Sequence, residues 1–234
     1  MKNKLTGLMP KTSKSGLATV FALTSALTLS ANAAVVMVAS EATVRDGGNA
    51  DTDQDEAGAG YVMTKYSTPG GSIRHSYFQF DLSGQDADLT QAATFSVFLH
   101  EANAQGIQVW ALDQAYAGFT STITWNTAQA NDTTSNEMLT VGAFTATKIG
   151  GPVVVPGTSV GDEIQTNLTS LSPYVFGDKI TLVVTGVDDV SNHSGGLRIR
   201  RNDSELEFTV VPEPSSTALL GLCGIALILR RRRS

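Results

Sequence analysis

Five carboxylates crowd one short stretch: Asp46, Asp51, Asp53, Asp55 and Glu56 fall between two strand-like segments. Asp51, Asp53 and Asp55 alternate along the chain, and Ca²⁺ takes about six to eight oxygens from flexible loops of this kind. An EF-hand is excluded, because that loop needs Gly after its third acid and Glu at its end, where this chain has Glu56 and Val62. The alternative is an acidic loop held open by repulsion. A second set of residues suits sugars. Aromatic faces stack on pyranose rings and cations pair with uronate carboxylates, and Lys65, His75, Tyr77 and Trp110 are the candidates. If Phe78 and Phe80 point inward, His75 and Tyr77 point outward side by side, as does Trp110 if Val109 is inward. The competing reading places these side chains under further structure, as part of a second buried layer. Trp125 reads as core.

Little supports catalysis. His75, His100 and His193 are scattered without metal-ligand spacing, and no Gly-x-Ser-x-Gly occurs. Carboxylates are abundant, but nothing in the pattern sets two of them across a cleft. A polysaccharide-degrading enzyme is the least supported function.

The elements that must position these residues are strands. From Val35 onward apolar residues recur at a spacing of two, in short runs broken by Gly, Asn, Asp and Pro. Residues 73–82 alternate most clearly. The runs 95–99 and 107–111 predict a hairpin turning near Asn103. Further strands are expected over 138–147, 179–185, 197–201 and 206–211. The best helix signal, 166–176, is cut short by Pro173. The expected fold is all-β, a two-sheet antiparallel β-sandwich of jelly-roll type over residues 35–211, with an immunoglobulin-like sandwich as runner-up.

Both ends read as processing segments. Lys2, Lys4, Lys11 and Lys14 precede an apolar run and then Ala31-Asn32-Ala33, the layout of a signal peptide over residues 1–33 cleaved after Ala33 or Ala34. Signal peptidase and the Sec export machinery are the implied partners. At the other end Pro212-Glu213-Pro214 leads into thirteen uncharged residues, 217–229, and then Arg230, Arg231, Arg232 and Arg233. As a helix that run rises about 20 Å at ~1.5 Å per residue, short of a hydrocarbon core of roughly 30 Å. Its arginines orient it with the domain outside. It is expected to be a short transmembrane helix before processing.

The exported part, residues 34–211, keeps eight basic groups against 21 acids, a net charge of −13. Nucleic-acid binding is therefore excluded as a function class. The single cysteine, Cys223, lies in the terminal run, so the domain has no disulfide.

The ending over residues 211–234 resembles the PEP-CTERM sorting signal of Gram-negative bacteria. That resemblance implies an exosortase as partner, an integral-membrane cysteine transpeptidase that cuts near Pro-Glu-Pro and passes its substrate to the cell surface or exopolysaccharide matrix. A second resemblance rests on Val44-Arg45-Asp46-Gly47, on the segment Arg74 to Leu82, and on Thr122-Ile123-Thr124-Trp125-Asn126. These are similar in order and spacing to DNRLRE-type domains, β-sandwiches appended to secreted lyases and surface proteins, some of whose relatives are carbohydrate-binding modules. It thins in the last third, where Arg200-Arg201-Asn202 stands in place of Ser-Arg-Glu. The implied function is that of an exported, noncatalytic surface or matrix protein binding polysaccharide. The alternative is a purely structural acidic matrix protein. No cofactor is required beyond a candidate Ca²⁺.

Overall fold

The computed structural model describes residues 33–52, 54, 60–67, 71–85, 88–102, 105–113, 122–138, 145–155, 160–187 and 196–209. Residues 1–32 of the expected signal peptide, the whole sorting signal and Asp53, Asp55 and Glu56 lie outside these. Residues Asn32–Val211 form a compact unit of their own.

Ten strands build it: β1 (Ala33–Arg45), β2 (Tyr61–Thr64), β3 (Arg74–Asp81), β4 (Ala93–Ala102), β5 (Gln105–Leu112), β6 (Ala146–Val155), β7 (Glu163–Leu168), β8 (Lys179–Val187), β9 (Leu197–Arg200) and β10 (Glu205–Thr209). The only helical pieces among the described residues are 3-10 turns at Gly47–Asn49 and Ser172–Tyr174, and no helix there is long and apolar enough to cross a membrane. The all-β class is as expected. The ladders, however, do not leave two separate sheets. They run β10-β1-β3-β8-β5-β6-β7-β4 and back to β10, an eight-strand barrel, with β9 and β2 added beyond β4.

Two devices close the ring. β1 pairs with β10 over Ala33–Met37, passes a bulge at Val38–Ser40, and continues as the partner of β3. β9 and β10 follow one another along β4, Leu197 and Ile199 beside Ala102 and Leu99, then Glu205–Phe208 beside Ser96–Ala93, separated by the turn 201–204. The opposite join is a single bridge, Gly150 to Leu168. A Cβ at Gly150 would lie 2.6 Å from Leu168 Cδ2 and 2.8 Å from Thr166 Cγ2, so only glycine lets β6 and β7 approach.

Alternation fills the interior. Phe78 and Phe80 from β3, Phe95, Val97 and Leu99 from β4, Ile107 and Val109 from β5 and Ile180, Leu182 and Val184 from β8 meet in one cluster. The Phe95 ring packs edge-on to Phe78 and Phe80, at 5.5 and 6.0 Å between centroids.

Two local expectations fail for physical reasons. The runs 95–99 and 107–111 are consecutive strands but not a hairpin: β4 pairs with β7, β9 and β10, whereas β5 pairs with β6 and β8. Both turn their apolar faces to the same interior, from opposite walls, and alternation alone does not distinguish that from pairing. The 166–176 helix is instead the end of β7 followed by the 3-10 turn at Pro173. Leu168 and Leu171 both enter the core, three apart by coincidence of a strand end and a turn. Of the strand expected over 138–147, residues 139–144 lie outside the described residues; the described strand there, Ala146–Val155, runs through Gly150-Gly151-Pro152 with shifts in the β5–β6 register.

Candidate functional site

His75, Tyr77 and Trp110 do point away from the barrel interior, but they are buried there. Tyr77 and Trp110 form a second apolar cluster with Ala42, Val44, Leu112 and Val183 on the outer face of β1-β3-β8-β5, Ile123, Trp125, Ala130 and Met138 from the segment 122–138 close over them, and His75 packs against the Trp125 ring. An open sugar-stacking platform at these three residues is therefore corrected to a roofed layer. Trp125 is core, as its sequence context suggested.

Specific hydrogen bonds hold the roof. Tyr77 donates its hydroxyl to the Gln129 carbonyl at 3.1 Å, and the Trp110 indole N–H donates to Thr185 Oγ1 at 3.0 Å. Asn131 Nδ2 donates to the Trp125 carbonyl at 2.7 Å, which leaves its Oδ1 as the acceptor for His75 Nδ1 at 2.8 Å. That fixes the neutral Nδ1–H tautomer of His75. Burial holds its pKa down to about 4, against a smaller upward pull from Asn131. Asn126 ties the roof to the acidic loop, its Nδ2 donating to Asp51 Oδ1 at 2.7 Å. Asp51 is exposed and Asp46 is buried at the start of the adjacent turn. Among the described residues no three carboxylate, histidine or cysteine side chains gather as metal ligands.

A partly exposed sheet face lies on the other wall, where β2, β9 and β4 meet, with Tyr61, Arg198 and Arg200 half-buried and His100 exposed. Met63 stands opposite Arg198 and Tyr61 opposite Arg200, while Val62, Ile199 and Leu197 face the core. The Arg198 guanidinium lies over the Tyr61 ring, 5.0 Å from its centroid, and His100 meets that ring edge-on at 5.2 Å. Arg198 also pairs with Glu101, and Arg200 reaches Asp203 at 4.0 Å.

The same strip continues through Met63, whose sulfur is touched by the Arg74 guanidinium. Arg74 is the bridge partner of Lys65 and the register partner of Arg45. The Lys65 ammonium donates to Ser72 Oγ at 3.1 Å, and its pKa is lowered first by burial and then by Arg74 and Arg45, with Asp46 opposing. Five of the eight basic residues of a domain with net charge −13 thus lie along this one edge and face. Like charges crowded this way favour an anion beside them.

Lys65 is the one sequence candidate that stands in this strip. Tyr61, His100, Arg198 and Arg200 were missed, although Leu197-Arg198-Ile199-Arg200 alternates cleanly between apolar and cationic. The missing information was the long-range pairing of β9 with β2.

Comparison with known families agrees with both resemblances. Residues 32–146 match carbohydrate-binding module family 96, consistent with the DNRLRE-type likeness, and residues 210–233 match the PEP-CTERM protein-sorting motif. No curated protein matches the chain. The module match takes in Arg45, Tyr61, Lys65, Arg74 and His100 and stops before β9.

Proposed function

We propose that the exported domain is a noncatalytic module that holds an acidic polysaccharide along the strip from Arg45 and Lys65 to Tyr61, Arg198 and Arg200. The observation that carries this reading is the Arg198–Tyr61–His100 stack on a partly exposed sheet face, beside the concentrated positive charge. A uronate carboxylate accepts two parallel hydrogen bonds from a guanidinium, which a neutral sugar does not. The half-buried Tyr61 ring, held by Arg198 and His100, offers an ordered apolar edge to the sugar carbons at little entropic cost. The barrel leaves this face partly exposed, while segment 122–138 roofs the opposite one. His75, Tyr77 and Trp110 serve from beneath, as anchors of that roof.

The sorting motif supports delivery by an exosortase acting near Pro212, Glu213 and Pro214, with Arg230 to Arg233 retained on the cytoplasmic side until processing. Export leaves the module at the cell surface or in the extracellular matrix.

Affinity electrophoresis of the 32–211 fragment in gels containing a polyuronate or a neutral glucan tests the binding. Retardation is expected in the polyuronate gel only, weakened about tenfold by Arg198→Ala, an effect of about 1.4 kcal/mol, and progressively lost with salt. Equal retardation by the neutral glucan, or none by either, would reject the assignment in favour of a structural spacer.

A further inference from the structure

The strands that carry the strip rest on β1. β2 stands at the end of the ladder order, beyond β9, so its place on the barrel is set by hydrogen bonds to strands outside that pair. Thr43 Oγ1 on β1 accepts from the Met63 N–H at 2.8 Å, and Thr64 Oγ1 donates to Ser76 Oγ on β3 at 2.9 Å. Glu41, two residues before Thr43, does the same for the end of β9. Its Oε1 accepts from the Asn202 N–H at 2.9 Å, in the turn 201–204 that follows Arg200 directly. The neighbouring Arg201 N–H donates to the Gly60 carbonyl at 3.1 Å, immediately before Tyr61, which is the register partner of Arg200. A line of backbone thus runs from Glu41 through Asn202 and Arg201 to two residues of the strip. The Val38 N–H, donating to the Ser204 carbonyl at 2.9 Å, pins the far end of the turn. Asn202 has a φ of 62°, a left-handed conformation that a non-glycine residue keeps only where its surroundings hold it.

A carboxyl is an unexpected choice for this task. Glu41 stands opposite the core residue Phe78, on the interior side of the wall, and is 4% exposed. Its Oε2 and the hydroxyl of the fully buried Ser204 have no hydrogen-bond partner among the described residues. Glutamine would supply the same acceptor to Asn202 and never leave a charge in the interior. Glutamate adds a proton that can leave. Burial pushes its pKa up to about 7, against the Asn202 N–H and Arg201 and together with Asp203. Those are the charged groups that act on it, both from the turn, since its strand partner Phe78 carries none. Protonated, the carboxyl is neutral and Oε2 is a donor. Ionised, it leaves a buried charge on an oxygen with no donor beside it, and displacement of the turn, to admit water or the Arg201 guanidinium, is the relief at hand.

Resting on the reading of the strip as the polysaccharide site, we infer that Glu41 is its positioning residue, setting turn 201–204 and through it the placement of Tyr61 and Arg200 beside Arg198. With its proton Glu41 keeps the turn shut and the strip aligned, and without it both loosen. Affinity electrophoresis in polyuronate gels, from about pH 6 to about pH 8.5, tests this on the 32–211 unit and its Glu41→Gln variant. Amide hydrogen exchange over residues 60–64 and 200–204 accompanies it. The polyuronate stays ionised throughout, and His100 is common to both proteins, so the difference between their profiles belongs to Glu41. Wild-type retention is expected to weaken roughly fivefold across that range, and both segments to exchange faster than in the variant at the upper end. Glu41→Gln, which keeps the acceptor for Asn202 and puts a permanent donor in place of the proton, is expected to bind with the same strength throughout. Coincident retention profiles for the two proteins, or equal exchange in both, would overturn the inference and leave the strip standing as the binding site. Absence of retention at every pH would instead overturn the strip reading, and this inference with it.

Discussion

The two outer faces of this barrel have nearly the same sequence grammar and opposite fates. On β3 and β5, His75, Tyr77 and Trp110 alternate with core residues, and on β2 and β9, Tyr61, Arg198 and Arg200 do the same. The first set is sealed under segment 122–138, while the second is partly exposed among the described residues. The difference teaches that alternation tells which way a side chain points, and that a distant segment decides whether water ever reaches it. On the roofed face, aromatic rings are structural. On the other face, one half-buried ring lies beneath a guanidinium with an imidazole at its edge.

The largest expected effect that tests this contrast is on the roof. Trp125→Ala removes the largest buried side chain of segment 122–138, whose ring lies 4.9 Å from His75, and should lower unfolding free energy by about 3–5 kcal/mol in urea titration. A loss under about 1 kcal/mol would mean that the roof is dispensable.

Two buried titratable groups sharpen the comparison through pH. His75 under the roof is depressed to about 4 from 6.5, so the stability it confers is complete above pH 6.5 and falls as pH drops towards 4. Glu41, on β1 beneath the turn 201–204, is raised to about 7 from 4.5. Burial is the main cause, opposed by the Asn202 N–H and Arg201 and aided by Asp203. Its contribution is complete below pH 4.5 and is lost as pH rises through 7. Each is worth about 3 kcal/mol at full range, and between pH 4.5 and 6.5 the two slopes oppose. Wild-type stability should be nearly flat there, while Glu41→Gln should gain stability with rising pH and His75→Gln should lose it. Parallel curves for all three proteins would show that neither group is buried as described.

The smallest expected effect on folding is on the open face. Tyr61→Ala should change unfolding free energy by about 1 kcal/mol yet weaken polyuronate retardation about tenfold. A change of stability like that of Trp125→Ala would instead make Tyr61 a core residue.

Much of the scaffold was readable from residues alone. The strand over 73–82, the inward Phe78 and Phe80 and the outward Trp110 follow from period-two patterning and hold in the fold, and Trp125 is core as expected. β2 was overlooked because four residues, Tyr61–Thr64, are too few to show a period. The 95–99 and 107–111 runs were joined because neighbours in sequence usually pair, whereas each here finds partners from the second half of the chain. The site was the least legible part. Lys65 was identified, but its grouping with Arg198 depends on register between strands more than a hundred residues apart, which no local window contains.

Ala33 is laid directly opposite Thr209, so the opening strand of the domain has the final strand as its neighbour. A chain that folds from its amino end must therefore keep β1 waiting, half-paired, until residues 205–209 arrive. The late arrival of β10 acts as a latch on assembly, and the barrel shuts only then.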